Sequence, residues 1–243
     1  MIRKLDRGGR RLAYRQTEGA APAILFLPGY MSDMEGTKAL AMEAWALAHG
    51  RAFRRFDYGG CGVSPGDFEA QSLADWRDDA VAMIDDLAPG PLILVGSSMG
   101  GWLMLLAALA RPERVAALIG IAAAPDFTDW GFSDAAKAVI RTEGRLLEPT
   151  PYGDQPYVTT RIFWDSGETL KLLDGEIAID CPVRLLHGSA DPDVPWTVST
   201  RLAERLRSAD VQTLLVKGGD HRLSREQDLA LLIRILAELV ETL

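Results

Sequence analysis

Short apolar runs recur along the chain, and helical patterns separate most of them. Six runs of four to six residues lie at 23–27, 52–56, 92–95, 116–121, 183–186 and 211–216. Before them, the segments 2–6 and 10–16 are typical of a β-hairpin with a tight glycine turn at 7–9. Strands that alternate with helices form a mostly parallel sheet that is covered on both faces. The pattern predicts an α/β fold with eight strands and helices on both faces of the sheet.

The C-terminal segment gives the clearest helical signal. Ser224 and Gln227 have the spacing of a capping box at a helix start. Four leucines then recur on one helical face: Leu229, Leu232, Leu236 and Leu239. This helix is expected to be the last element of the fold, with its leucine face packed against the rest of the protein.

Between about 125 and 180 the alternation of strands and helices breaks down. The segment is rich in glycine, proline and aromatic residues, among them Trp130, Tyr152, Tyr157, Phe163 and Trp164. A structureless insertion of this length is unusual in a compact domain. We therefore predict a single domain over 1–243 with a small helical cap inserted at about 125–180.

Four aromatic residues are the candidates for an apolar substrate pocket. Trp130, Phe163 and Trp164 belong to the predicted cap, and Trp196 lies outside it. Aromatic side chains of this kind line small-molecule pockets. The alternative is that the cap aromatics form the cap's own small core.

Composition narrows the classes of partner. The chain of 243 residues has a formal net charge of −8, which opposes binding to phosphate backbones and to anionic membrane surfaces. A small neutral or acyl substrate is a better match than nucleic acid. The two cysteines, Cys61 and Cys181, are far apart and predict buried or half-buried thiols rather than a disulfide framework or a metal cluster.

Targeting and membrane signals are not evident in the sequence. No apolar run reaches the roughly 18 residues that a membrane span needs, and the polar first residues do not resemble a signal peptide or an amphipathic presequence. The cytoplasm is predicted by elimination. The oligomeric state is left open.

The string GSSMG at 96–100 follows the run 92–95 and opens an apolar helix. Strand, sharp turn and helix form the setting of a nucleophile elbow, and the glycines let the turn lift the Ser98 hydroxyl above the sheet. The helix start behind Ser98 adds a positive dipole end where an oxyanion develops. This context predicts Ser98 as a nucleophile. The alternative is an ordinary turn with a solvated serine.

A serine nucleophile needs a base and an acid that orients the base. The chain has three histidines, and only His221 follows the best acid along the chain. It lies in a loop just after the run 211–216, so we predict it as the general base. His49, at a helix end, and His187, at a strand end, are expected to have structural roles.

Two aspartates compete for the role of the acid. Pro192 favours an extended conformation of Asp191, which suits a side chain that projects toward His221. Asp193 is typical of a turn or of the cap of the next helix. We predict Asp191 as the acid, with Asp193 as the alternative, and expect Asp220 to stabilise its own loop.

An oxyanion hole requires two backbone donors. One is expected to be the amide of Met99, directly after the nucleophile. The other is expected in the loop after the run 23–27, where Gly29 lets the backbone turn inward and presents the amide of Tyr30. An ordinary turn at the strand end is the alternative.

Three strings resemble the α/β-hydrolase family. FLPGY at 26–30 resembles the oxyanion strand of that family, DYGGCGVS at 57–64 resembles its D-x-x-G-x-G-x-S turn, and 96–100 resembles its elbow. Further strings are similar to the palmitoyl-protein thioesterases among these enzymes, and they lie at 32–39, 96–105, 185–188, 194–196 and 220–222.

The resemblance covers nearly the whole chain. It implies S-depalmitoylase or acyl-glucuronide esterase activity, with Ser98, Asp191 and His221 as nucleophile, acid and base. The leading prediction is a serine hydrolase that cleaves carboxylic esters or thioesters through an acyl-serine intermediate, with no cofactor and no metal. A peptidase or amidase on the same triad, and a noncatalytic binding protein with the same fold, are the alternatives.

Overall fold

The computed structural model describes residues 1–7, 9–150 and 155–243. Eight strands of the described ranges form the main sheet: β1 (Arg3–Arg7), β2 (Arg10–Thr17), β3 (Ala20–Leu27), β4 (Arg51–Phe56), β5 (Leu92–Ser97), β6 (Val115–Ile121), β9 (Val183–Gly188) and β10 (Val211–Val216). Two further strands, β7 (Arg145–Glu148) and β8 (Tyr157–Thr160), pair separately. The helices are α1 (Thr37–Ala48), α2 (Leu73–Asp86), α3 (Met99–Ala110), α4 (Phe127–Trp130), α5 (Asp134–Glu143), α6 (Arg161–Thr169), α7 (Thr197–Arg205) and α8 (Glu226–Thr242), with a 3₁₀ turn at Phe68–Ala70.

The strands lie in the order β1-β2-β4-β3-β5-β6-β9-β10. β2 pairs antiparallel with β1 and β4, and the other neighbours in the sheet are parallel. The predicted α/β fold with a mostly parallel eight-stranded sheet is confirmed, as is the N-terminal hairpin. Gly8 of the predicted hairpin turn and Tyr152 of the predicted cap lie outside the described residues.

The core lies on both faces of the sheet because alternate side chains of the central strands point to opposite sides. In β5, Leu92 and Leu94 pack on the side of α2 and α3, whereas Ile93 and Val95 pack on the side of α1 and α8. All four side chains are fully buried. A continuous apolar run is therefore what a central parallel strand requires, in place of apolar and polar alternation.

The last helix forms as predicted, but its start differs from the prediction. Arg225, not Ser224, precedes α8, and its backbone N–H and guanidinium both donate to Asp228. The Ser224 hydroxyl instead donates to the Arg222 carbonyl. The predicted capping box of Ser224 with Gln227 was wrong, because an arginine–aspartate pair one residue further along takes that position.

The segment between β6 and β9 contains more than helices. Besides α4, α5 and α6, it contains an antiparallel pair, β7 and β8, which lies between α5 and α6 along the chain. The prediction of a purely helical cap was therefore incomplete. The cap is tied to the rest of the protein through Tyr30, whose hydroxyl donates to the Val158 carbonyl.

Two expectations from composition can be compared with the fold. Cys61 is buried and Cys181 is half-buried, and both are free thiols, as predicted. Within the described ranges, no helix is long and apolar enough to cross a membrane.

Tyr58 offers a test of core energetics. Its side chain is fully buried, and its hydroxyl has no hydrogen-bond partner among the described residues. Because an unpaired buried hydroxyl costs free energy, Tyr58→Phe is expected to leave the free energy of unfolding unchanged or raise it by about 1 kcal/mol. Tyr30→Phe removes the bond to Val158 and is expected to lower it by about 1 kcal/mol.

Urea unfolding of both variants at one pH measures the difference. The opposite order, with Tyr58→Phe the less stable variant, would contradict the assignment of an unpaired hydroxyl.

Candidate active site

Ser98 lies between β5 and α3, at a turn with an unusual backbone. Its φ and ψ are 55° and −122°, a positive φ that residues with a side chain rarely adopt. The Ser98 N–H donates to the Ile121 carbonyl at 2.9 Å, and the Ser98 carbonyl accepts from Gly101 and Ala124 at 2.8 and 3.1 Å. These three bonds hold the strained residue between β5 and the end of β6.

Two glycines permit this turn. A Cβ on Gly96 would lie 2.3 Å from the Gly100 carbonyl oxygen, and a Cβ on Gly100 would lie 2.1 Å from the carbonyl oxygen of Leu27. A Cβ on Gly29 would in turn lie 3.3 Å from the Ser98 Cβ. The loop after β3 therefore packs directly on the elbow, with no space for side chains between them.

Ser98, His221 and Asp191 form a hydrogen-bonded chain. The His221 Nε2 lies 3.1 Å from the Ser98 Oγ, and the His221 Nδ1 lies 2.8 Å from the Asp191 Oδ2. A carboxylate only accepts, so Nδ1 carries the hydrogen and Nε2 of the neutral ring is left to accept from the serine. The geometry is that of a nucleophile, base and orienting acid.

Three hydrogen bonds and a contact with a second imidazole hold Asp191. Its Oδ1 accepts from the backbone N–H groups of Asp193 and Val194, both at 2.9 Å. Its Oδ2 lies 2.8 Å from His221 and 3.3 Å from the Nε2 of His187. Burial opposes ionisation of Asp191, but the hydrogen bonds from His187 and His221 outweigh it and hold the pKa of this carboxyl well below its usual range.

The other two loop aspartates have different surroundings. Asp193 is exposed, and its amide donates to Asp191. The Asp220 Oδ1 accepts from the Leu223 N–H at 2.9 Å, so Asp220 stabilises its own loop as expected. Asp191, Asp193 and His221 are close enough to share a cation, but the hydrogen on His221 Nδ1 suits this group to proton transfer rather than to metal ligation.

The two predicted oxyanion donors lie on adjoining segments. Met99 is the first residue of α3, and Tyr30 follows Gly29 on the loop that packs against the elbow. Within the described ranges, neither backbone amide is paired with a protein acceptor. Their role as the two oxyanion donors stays a prediction.

A cavity of about 670 Å³ opens over Ser98 and His221, which is within the usual range for small-molecule sites. Aromatic residues form one part of its wall: Tyr30, Phe127, Trp130, Phe132 and Tyr157. Polar and charged residues form another part: Ser32, Asp33, Lys38, Glu148, Thr159 and Arg222. The cavity wall thus offers both apolar and polar contacts to a substrate beside the serine.

Three of the four predicted pocket aromatics do not line this cavity, and that prediction is corrected. Phe163 is buried behind Tyr30, with the ring centroids 4.9 Å apart. The Trp164 indole donates to the Thr128 carbonyl at 2.9 Å and packs α6 onto α4. Trp196 is 45% exposed and borders a separate groove. Only the prediction for Trp130 agrees with the cavity wall.

The sequence analysis missed two residues near the triad. Lys38, at the start of α1, donates to the Arg222 carbonyl at 2.6 Å and so ties α1 to the loop of His221. Burial, together with the charge of Arg222, lowers the pKa of Lys38 to about 8. His187, for which the sequence predicts a structural role, contacts Asp191. The spacing of His187 and Asp191, four residues apart at a strand end, was the available signal.

Comparison with known proteins agrees with this fold. Residues 19–162 match the family described as serine aminopeptidase, S33. The chain belongs to this family of α/β-hydrolases. The prediction of an enzyme of the serine esterase or thioesterase type is confirmed.

Individual relatives are similar over most of their length. The chain is 44% identical over 236 residues to human palmitoyl-protein thioesterase ABHD10, mitochondrial, which covers 96% of this chain and 77% of the relative. The solved mouse alpha/beta hydrolase domain-containing protein 10 has a TM-score of 0.94 and 42% identity, over 100% of this chain and 99% of that one. A putative hydrolase from Agrobacterium vitis S4 has a TM-score of 0.92 and 36% identity, over 99% and 98% of the two chains.

The glycine at the elbow gives a direct test of the close packing. Gly100→Ala places a methyl group against two backbone carbonyls and is expected to lower the free energy of unfolding by about 1–3 kcal/mol. It should also lower activity, because the turn or the oxyanion loop must shift. Gly175→Ala is the control, since a Cβ there meets nothing within 4 Å, and its stability is expected to change by less than about 0.5 kcal/mol. Equal stabilities of the two variants would contradict the close approach.

The choice between the two aspartates can be tested by isosteric replacement. Asp191→Asn removes the charge that orients His221 and is expected to lower kcat by about 10⁴-fold. Asp193→Asn is expected to lower kcat by less than about tenfold, because the carboxylate of Asp191 and its bond to His221 remain. Steady-state kinetics on one activated ester measure both, and a larger loss in Asp193→Asn would reverse the assignment.

Proposed function

We propose that the chain hydrolyses carboxylic esters or thioesters through an acyl intermediate on Ser98. The observation that carries this proposal is the hydrogen-bonded chain from Ser98 to His221 and Asp191, at 3.1 and 2.8 Å, beneath the cavity. A serine hydroxyl is a weak nucleophile by itself, and an oriented imidazole removes this limit.

The first half of the reaction forms the acyl-enzyme. The Ser98 Oγ attacks the substrate carbonyl carbon while its proton moves to the His221 Nε2. Negative charge develops on the carbonyl oxygen, where the amides of Met99 and Tyr30 donate to it. As the tetrahedral intermediate collapses, His221 gives its proton to the leaving alkoxide or thiolate. Asp191 stabilises the imidazolium that exists between these two transfers.

The second half releases the acid. His221 takes a proton from water, the water oxygen bonds to the acyl carbon, and the ester bond to the Ser98 Oγ breaks. The proton then returns from His221 to the Ser98 oxygen. The balance is one water consumed for each ester or thioester cleaved.

The substrate class follows from the cavity and the relatives together. The aromatic wall around Trp130 suits an acyl chain, while the polar wall with Lys38 and Arg222 suits a leaving group that carries polar atoms. The 44% identical human relative is named a palmitoyl-protein thioesterase. We therefore propose acylated proteins and small acyl esters, including long-chain acyl thioesters, as the substrates.

The cytoplasmic location stays a prediction. The human relative is named as mitochondrial, so fractionation of cells that express the untagged protein is the informative measurement. Recovery with the mitochondrial fraction would contradict the prediction.

Replacement of the nucleophile tests the proposed chemistry. Ser98→Ala is expected to lower kcat by about a millionfold on esters and thioesters, because the acyl intermediate can no longer form. Purified protein is assayed on p-nitrophenyl esters of increasing chain length, a palmitoyl thioester, an acyl-glucuronide and an aminoacyl p-nitroanilide. Ser97→Ala is the matched control, and its activity should remain within about tenfold of the wild type.

The panel also separates the alternatives. Turnover of the anilide but of no ester or thioester would favour the peptidase that the family's name suggests. Turnover of no member, with no labelling of Ser98 by a fluorophosphonate, would favour a noncatalytic binding protein. Either result would contradict the proposal.

A further inference from the structure

A second histidine reaches the acid of the triad. His187, at the end of β9, is fully buried. Its Nε2 lies 3.3 Å from the Asp191 Oδ2 and 2.9 Å from the Val194 carbonyl oxygen. Its Nδ1 lies 2.7 Å from the Ser199 hydroxyl. The same oxygen of Asp191 therefore contacts both His187 and the base His221.

The partners of His187 determine where its hydrogen lies. A backbone carbonyl and an ionised carboxylate only accept, so the nitrogen between them must carry a hydrogen. This requirement places the hydrogen on Nε2 whether the ring is neutral or protonated. In the neutral ring, Nδ1 then accepts from the Ser199 hydroxyl. Nε2 carries one hydrogen, so Val194 and Asp191 share it: the shorter bond goes to the Val194 carbonyl at 2.9 Å, and the Asp191 Oδ2 lies 3.3 Å from the same nitrogen.

We propose that His187 is a positioning residue of the triad. Its Nε2–H fixes the orientation of the Asp191 carboxylate and partly neutralises the negative charge that faces His221. The inference rests on the proposed function only in taking Asp191 as the partner of the base. The side chain of Asp191 is inaccessible to solvent, so water does not replace a missing donor readily. Among the described residues, the imidazoles of His187 and His221 contact Asp191. The Asp193 carboxylate also lies within 4.8 Å of that of Asp191, and the Asp193 amide donates to it.

Two consequences follow from this contact. First, loss of the donor frees the carboxylate to rotate, so His221 is less well oriented toward Ser98. Second, the charge of Asp191 is less neutralised, which stabilises the protonated form of His221. A weaker orientation lowers kcat, and a more stable imidazolium moves the acid limb of the pH profile to higher pH.

The test uses two amides that differ in reach by one methylene group. In His187→Gln, the amide nitrogen occupies about the position of the ring Nε2 and can donate to Asp191. In His187→Asn, the shorter amide reaches only the side of Ser199. Both variants keep a polar group in the buried site, so a difference between them reports on the donor to Asp191. His49→Gln, at the exposed end of α1, is the control for replacement of a histidine.

Each purified protein is measured for kcat on an activated ester across pH and for thermal unfolding. In ¹⁵N-histidine-labelled protein, the titration of the His221 ring is followed by NMR without substrate. His187→Asn is expected to lower kcat by about ten- to a hundredfold and to raise both the acid limb and the ring's titration midpoint by roughly half a pH unit to one unit. His187→Gln is expected to restore most of kcat and the wild-type limb, and His49→Gln is expected to match the wild type.

Two results would overturn the inference. One is an unchanged limb and ring titration in His187→Asn, even with a lower unfolding temperature, because that describes a purely structural histidine. The other is an equal shift in His187→Gln and His187→Asn. The NMR titration needs no turnover, so it also separates this inference from the proposed function. A shift without any ester cleavage supports the role of His187 and contradicts only the substrate proposal. Ester cleavage without a shift supports the substrate proposal and contradicts the role of His187.

Discussion

The contact between the nucleophile elbow and the loop after β3 is the constraint on which the rest of the site depends. Leu27 pairs with Gly96 in the parallel ladder of β3 and β5, so both strands end at the same level of the sheet. The backbone of Gly100 can then approach the Leu27 carbonyl within a distance that excludes any Cβ. Because the two segments meet backbone to backbone, the register of two buried strands sets the separation of the Ser98 hydroxyl from the Tyr30 amide. The precision of the site is thus a property of the core rather than of the loops.

The acid side of the triad follows a different rule, which is the satisfaction of a buried charge. A carboxylate shielded from solvent is stable only when donors surround it. The loop after β9 supplies two backbone donors to Asp191 from its own turn, and two imidazoles complete the set. This arrangement leaves the carboxylate ionised and unable to rotate freely, which are the two properties an orienting acid needs.

The sequence predicted those parts of the protein that local pattern determines. The six apolar runs marked six strands of the main sheet and the N-terminal hairpin pattern marked the other two, and the glycines at 96 and 100 identified the turn at Ser98. Features that depend on distant contacts were not accessible. Phe163 lies behind Tyr30 rather than in the cavity, and no local signal distinguishes a pocket aromatic from a core aromatic. Lys38 contacts a loop 184 residues away, so only the folded chain connects it to the site.

The start of α8 shows a further limit of local reading. A serine with a glutamine three residues later fits the capping pattern, but an arginine and an aspartate with the same spacing lie one residue further on. The pair that also carries opposite charges, Arg225 and Asp228, forms the N-terminal capping bonds of α8. Two overlapping patterns of this kind differ by one residue in the predicted boundary, and energetics rather than spacing decides between them.

The position of the cap has a consequence for how such a protein diversifies. β6 and β9 are direct neighbours in the sheet, although the cap separates them by about 60 residues of sequence. The ends of the insertion are therefore fixed by the ladder between these two strands, and the cost of closing a loop grows only slowly, by about 0.6 kcal/mol for each doubling of its length. Descendants can lengthen, shorten or exchange the segment while the elbow and the buried aspartate keep their geometry. In such a lineage, selectivity can change by replacement of one continuous stretch of the gene, and the reactive groups need not evolve again.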